Sequence, residues 1–457
     1  MQSAVFYSYF YLYLYMIKYF LMVRSSFLKY IYVMFILLPV AVFFWLLCRY
    51  SLNIPYSDDV ELILNFLNYY SGVSGFNEKI TAIFWQFNEH RLVINKLFVL
   101  CYHYLFGAVN IRMLIIIGNL FLFGLFLFLF RSFKYGINKP SGDERQVLHD
   151  KLLFFIPVAF FLFQPQYYMT IFWATASIEQ LVVLFFSFMS IYCLDRKKTG
   201  YFIISAVFAI MAVFTNGNGM IVFLVGFFIL LLQKRRALLF PWSAVMIISL
   251  CIYFYHYTIT ARMRSFDIVN IIIYFLIFTG SFMDPLNIMN SSSGLKPVII
   301  FVTFTAGIAV VLYFILLIKK EYYKKNKTIY FYLVFLLISG AVLSVFRSES
   351  GVEQLFDSRY RIIPVLILVL TYMSLAGLIP KQKKAKYIPA FLIVSILFNL
   401  LSYCGNYGKI TDRYEKSISG LSGWMNNKYY LNKTPERMDK ILNTAIENKY
   451  YLPPLEK

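Results

Sequence analysis

Negative charge is what this sequence has least of. Only 22 of its 457 residues are Asp or Glu, against 43 Lys or Arg, and charged residues of both signs make up 14%. A soluble domain carries about 25%, so a water-soluble fold is excluded and a polytopic membrane chain is expected. Cysteine is scarce as well: Cys48, Cys101, Cys193, Cys251 and Cys404 lie in or beside apolar runs without paired spacing. That excludes a disulfide framework and a thiolate metal centre. No internal repeat is visible, which argues against an inverted-repeat transporter. The apolar, tyrosine-rich N-terminus is interrupted by Lys18 and lacks a small-residue cleavage site. It reads as a membrane-surface or partly inserted helix rather than a signal peptide.

What is present is apolar sequence, 60% hydrophobic and 20% aromatic. Candidate spans fall near 30–48, 92–109, 112–130, 178–194, 201–215, 218–232, 237–255, 297–318, 328–346, 362–379 and 387–404. The expected fold is an all-α polytopic bundle of about eleven transmembrane helices over residues 1–404. Residues 405–457 are expected as a small extracytoplasmic tail with a helix near 435–449. The net charge of +21 reads as topology, not as a nucleic-acid surface, because the basic residues cluster at 196–198, 234–236, 319–327 and 381–386 between apolar runs. Such clusters mark cytoplasmic loops. Counting from them places residues 49–91, 215–219, 347–361 and the tail on the outer side. The same count puts the basic 131–151 loop outside, against the rule. The expectation that resolves this is a run at 152–172 that dips without crossing, with 268–283 lying flat or re-entering.

Polar residues concentrate in three outer patches. "IPYSDDVELILNF" sets Asp58, Asp59 and Glu61 at the start of a segment with apolar residues at 60, 62, 63, 66 and 67, the spacing of an interfacial helix. One carboxylate there would cap the helix and complement its dipole; two adjacent acids and a third exceed that need. "NEHR" brings Glu89, His90 and Arg91 together beside Phe84 and Trp85. Arg91 and Lys96 could snorkel to water, an explanation that does not extend to Glu89 and His90. "RSESGVEQLFDSRYR" carries Arg347, Arg359 and Arg361 where topology does not favour them. Guanidinium holds two phosphate oxygens at once, so this loop reads as a phosphate site; pairing with Glu349, Glu353 and Asp357 is the alternative. "WATASIEQ" adds Trp173 and Glu179 at the outer boundary of a span. There Glu179 serves either function or a hydrogen bond between helices. Gly217 and Gly219 in "TNGNG" read as a tight turn. Acids opposed by arginines supply a proton acceptor for an attacking sugar hydroxyl. The arginines, or a divalent ion on the acids, supply charge for a departing phosphate.

At "SDD", at "NEHR" and at Gly351 with Ser358-Arg359-Tyr360, the chain resembles the GT-C superfamily of integral-membrane glycosyltransferases. Within it, the likeness is to bacterial O-antigen-modifying, serotype-converting transferases. The resemblance implies a GT-C-like bundle in the bacterial cytoplasmic membrane. It would transfer one hexose from a polyprenyl-phosphate donor to a glycan or lipid-linked glycan at the periplasmic face. It implies Asp58 or Asp59 as catalytic base, the other on a divalent cation, Mg or Mn, if one is used. Arg347 and Arg359, with Tyr360, would hold phosphate, while Glu61, Glu89, His90, Arg91, Trp173 and Glu179 position donor or acceptor. Two other readings stay open. An O-antigen polymerase or ligase does not need acids in the first loop, and a lipid-linked sugar flippase needs charged residues within its spans.

Overall fold

A computed structural model describes residues 28–133, 144–259, 267–347, 351–380, 383–427 and 435–454. The expected N-terminal surface helix and Glu349 lie outside them. The described residues are helical, with isolated bridges in place of strands. Eight helices are long and apolar enough to cross a membrane: Leu28–Tyr50, Ile111–Ser132, Val147–Phe172, Ala174–Leu194, Arg236–Phe254, Lys296–Lys319, Lys327–Arg347 and Lys386–Met425. Five shorter apolar helices accompany them: Val93–Phe106, Thr199–Thr215, Gly217–Leu232, Ile268–Met283 and Ile362–Leu378. The chain is therefore a multi-pass α-helical membrane protein, since backbone polar groups in lipid must be satisfied within each segment.

The helix α1 (Leu28–Tyr50) leads into the acidic loop. There a π-helical stretch, Val60–Asn65, runs into α2 (Phe66–Gly72), followed by α3 (Phe76–Phe84) and α4 (Val93–Phe106). The sequence reading made the 92–109 segment a span; the structure corrects this. Asn95, in the first turn of α4, donates to the Thr175 carbonyl at 3.3 Å. Just past its last turn, the Val109 amide donates to the Tyr450 carbonyl at 2.7 Å and the Ile111 amide to Asn53 Oδ1 at 2.7 Å. Both ends of α4 thus sit at the same end of the bundle as the acidic loop. With Val99, Leu100 and Tyr102 buried and Leu97, Tyr104, Leu105 and Phe106 exposed, it lies across that end as an interfacial helix.

That one change reverses the next assignments. α5 (Ile111–Ser132) descends to the opposite end, where the Ser132 carbonyl accepts from Asn326 at 2.9 Å. α6 (Glu144–Leu162) then returns antiparallel to α5 and parallel to α1, with His149 edge-on to Tyr32 and Phe163 against Phe43. So 152–172 crosses rather than dips. Ser132 stands with the basic clusters: its carbonyl meets Asn326, while Arg235 donates to the Leu194 and Arg196 carbonyls, and Thr328 to Asp195. The bundle has a basic end and an acidic end, and the charge conflict in the sequence reading disappears.

The helix at 268–283 does not lie flat either. It packs antiparallel along Lys296–Lys319, so closely that a Cβ on Gly307 would stand 1.9 Å from the Leu276 carbonyl oxygen. Small residues permit such backbone approach between membrane helices. The last long helix, Lys384–Asn427, has 44 residues and is therefore about 66 Å long, twice the hydrocarbon thickness of about 30 Å. Residues 405–427 continue it beyond the acidic end rather than starting a new tail. The segment after it, Pro435–Glu447 and on to Tyr451, folds back onto the first loop. Tyr451 donates to the Asn53 carbonyl at 2.7 Å and Asn68 to the Ile441 carbonyl at 3.0 Å.

Candidate active site at the acidic end

Two π-helical stretches occur among the described residues, Val60–Asn65 and Ser177–Leu181. The first directly follows Asp58 and Asp59, and the second contains Glu179. A π-turn widens the helix by a residue and swings side chains out of α register, a device common at functional sites. The second is admitted by Gly118, where any Cβ would fall 2.4 Å from Ser177 Oγ.

The two aspartates have separate fates. Asp59 is fully buried. Its Oδ1 accepts from the Thr175 amide at 2.8 Å and the Thr175 hydroxyl at 2.6 Å, and its Oδ2 from the Tyr56 amide at 3.0 Å. It makes no side-chain bond to the helix it precedes, so the capping explanation for this acid fails. It ties the first loop to the fourth long helix instead. Burial pushes its carboxyl up to about 6, while the Thr175 and Tyr56 bonds and the charge of Arg413 pull it back. Asp58 is half-buried and holds one long contact, 3.5 Å from Ser57 Oγ. Burial raises its pKa, and the Arg359 guanidinium opposes that rise. Of the two, Asp58 is the carboxylate whose oxygens are open to an incoming hydroxyl.

Around Asp58 the fold gathers residues from four distant segments. Glu179 lies within electrostatic reach of His90, Asp58 and Arg359, and it accepts a hydrogen bond from Asn216. Asn216 is a site residue that the sequence reading passed over as part of a turn; its Oδ1 also caps Gly217–Met220 through the Asn218 amide. His90 Nδ1 is buried without a hydrogen-bond partner, as is Trp173 Nε1. Trp173 stands at a break in its helix, with extended backbone between Tyr168–Phe172 and Ala174–Ala176. Arg359 lies 5.7 Å from the Trp173 ring centre and 5.3 Å from that of Tyr360. Arg347 flanks the same Tyr360 ring at 5.5 Å and donates to its hydroxyl at 2.9 Å. Two guanidinium groups therefore share one aromatic ring, which desolvates and orients them. Asp357 holds Arg359 through Nε and NH2 at 3.0 and 2.8 Å, and Glu353 pairs with Lys296. The third arginine of the loop, Arg361, is fully buried on Asp284 and the Phe356 carbonyl and serves the fold.

The remaining expected site residues divide. Glu89 occupies the tight turn from Phe87 to His90, made possible by the left-handed Asn88 at φ 48°, and its carbonyl accepts from Tyr257 at 3.0 Å. Arg91 is buried, with its guanidinium on the Phe84 and Tyr255 carbonyls; it staples two loops together rather than facing Asp58. Lys96 likewise donates to the carbonyls of Ala82, Ile83 and Trp85 at 3.0, 3.1 and 2.6 Å, closing the end of α3. Glu61 turns away to Arg437 at 2.9 Å and Asn65 at 2.8 Å.

A divalent ion shared by Asp58 and Asp59 does not suit this geometry, because both Asp59 oxygens already accept N–H and O–H donors. Among the described residues no three His, Cys, Asp or Glu side chains gather as a cage. The arrangement offers a general base, a pair of phosphate-competent guanidinium groups and hydrogen-bonding side chains between them. Comparison of the chain with protein-family models, curated proteins and solved structures returned no match.

Proposed function

We propose that this chain is a membrane glycosyltransferase that moves a hexose from a polyprenyl-phosphate donor onto a cell-surface glycan, O-antigen or a related polysaccharide. The observation that carries the reading is the division of labour between the two aspartates: Asp59 saturated by Thr175 and Tyr56, Asp58 left unsaturated within reach of Arg359. In the reaction, Asp58 takes the proton of an acceptor hydroxyl as its oxygen bonds to the anomeric carbon. The bond from that carbon to the phosphate oxygen breaks, and polyprenyl phosphate leaves with the electron pair. Arg359 and Arg347 stabilise the charge it acquires. Glu179, held by Asn216, and His90 are placed to hydrogen-bond the transferred sugar. Mg or Mn is held elsewhere by one or two carboxylates plus substrate phosphates, so Asp58 with the donor phosphate would suffice to hold one, and its contribution would be charge on the leaving group. By the positive-inside rule the basic end faces the cytoplasm, which supports a site on the outer face; the resemblance to the bacterial transferases makes that face the periplasmic one of an inner membrane.

The test is release of polyprenyl phosphate from a panel of polyprenyl-phosphate hexoses by the protein in lipid, with acceptor glycan present. Release by wild type and its loss in Asp58→Asn is the expected result. Equal release from both would remove Asp58 from the mechanism. Movement of a lipid-linked sugar across vesicles without any release would replace the enzyme by a flippase.

A further inference from the structure

A cleft of about 220 Å³ lies at the acidic end, walled by Glu61, Phe66, Trp85, Phe87 and Lys96 and roofed by Arg437. None of these residues is needed to hold the donor phosphate. Its floor is apolar and aromatic, since Phe66 is buried and Trp85 is 52% exposed. Its polar edge is one ion pair: Arg437 at 65% side-chain exposure bonded to Glu61 at 20%. Lys96 offers a ligand no donor, because all three ammonium protons are already on backbone carbonyls. The cleft therefore offers a flat apolar wall, one carboxylate, one guanidinium and no net charge at its mouth.

That chemistry matches a neutral pyranose. A sugar ring has an apolar face of C–H groups that packs on an aromatic wall. Its rim of hydroxyls both donates and accepts, as a carboxylate beside a guanidinium requires. At about 220 Å³ the cleft falls below the roughly 300–1,000 Å³ of a drug-sized pocket, which suits one ring rather than a chain. Position decides which sugar it is. Glu61 follows Asp58 by three residues, across the turn into the π-helical stretch, and the two carboxylates interact electrostatically. A ring seated against Trp85 holds its neighbour in the same chain beside Asp58.

We infer that this cleft is an acceptor subsite for a neutral saccharide, binding the sugar next to the one that is glycosylated. The inference rests on the glycosyltransferase reading for its purpose, though not for its chemistry. Two measurements separate them. In the first, Trp fluorescence of the whole protein in lipid nanodiscs is titrated with neutral disaccharides and with their methyl monosaccharides. Wild type and Asp58→Asn are expected to bind the disaccharides, and Trp85→Ala and Arg437→Ala to lose at least tenfold in affinity, read for Trp85→Ala by calorimetry. In the second, transfer kinetics with saturating donor should show a tenfold rise in acceptor KM for Trp85→Ala, with kcat and donor KM kept. Unchanged saccharide affinity in both cleft variants, or no saccharide binding by wild type, overturns the inference. Saccharide binding that depends on Trp85 in a protein with no transfer activity supports the cleft while removing the proposed reaction.

Discussion

Thr175 donates twice to one oxygen of Asp59, from its amide at 2.8 Å and its hydroxyl at 2.6 Å, across 116 residues of sequence. This pairing fixes the first loop on the bundle and aims the adjacent carboxylate, Asp58, at the arginine loop. The two acids should therefore respond differently to the same change. Asp58→Asn is expected to lower turnover by about 10²–10⁴-fold, the usual worth of a positioned base, with an unchanged melting temperature. Asp59→Asn turns an amide N–H toward a buried donor and should cost about 1–3 kcal/mol of stability. Thermal unfolding in detergent, run beside the release assay, distinguishes them.

Asp59 also sets a pH dependence of stability. Its folded-state pKa is pushed up to about 6, against about 3.9 unfolded, so the folded state binds the extra proton. The stabilisation is complete below the unfolded value and is lost as pH rises through the folded one. Wild type should thus lose about 3 kcal/mol from this group between roughly pH 4 and 6, and Asp59→Asn should be flat over that window. A set of melting curves across this range checks the sign.

Arg359 is expected to resist conservative replacement. Arg359→Lys keeps the charge but loses the planar contacts with Trp173 and Tyr360 and the two bonds to Asp357. Lys is a point charge with no fork, so kcat/KM for the donor should fall at least about tenfold, the equivalent of 1.4 kcal/mol. Arg361→Met should act otherwise: it strands the buried Asp284 and should cost about 3–5 kcal/mol of stability.

The path of the chain through the membrane can be read by cysteine labelling in a background without native cysteines. Ser74→Cys and Gly107→Cys, before and after α4, should react from the same side. Arg131→Cys and Lys198→Cys should react from the other. Reaction of Gly107→Cys from the side opposite to Ser74→Cys would mean that α4 crosses.

The sequence by itself determined the class of this protein and where its chemistry concentrates. Apolar runs and segregated Lys and Arg are one-dimensional quantities, and lipid leaves a long apolar helix few alternatives. They also placed Asp58, His90, Glu179 and Arg359 at one end, where the structure gathers them. Tertiary structure decided the rest. Length and hydropathy do not separate α4 from a span; its ends do, through Asn53 and Thr175. Adjacent Asp58 and Asp59 have the same chemistry on paper, and only the donors brought by residue 175 divide them. The same holds for Arg359 and Arg361, two residues apart, one beside aromatic rings and one sealed on Asp284. The partners that assign a polar side chain to structure or to catalysis arrive from distant segments, and sequence order carries no record of that proximity.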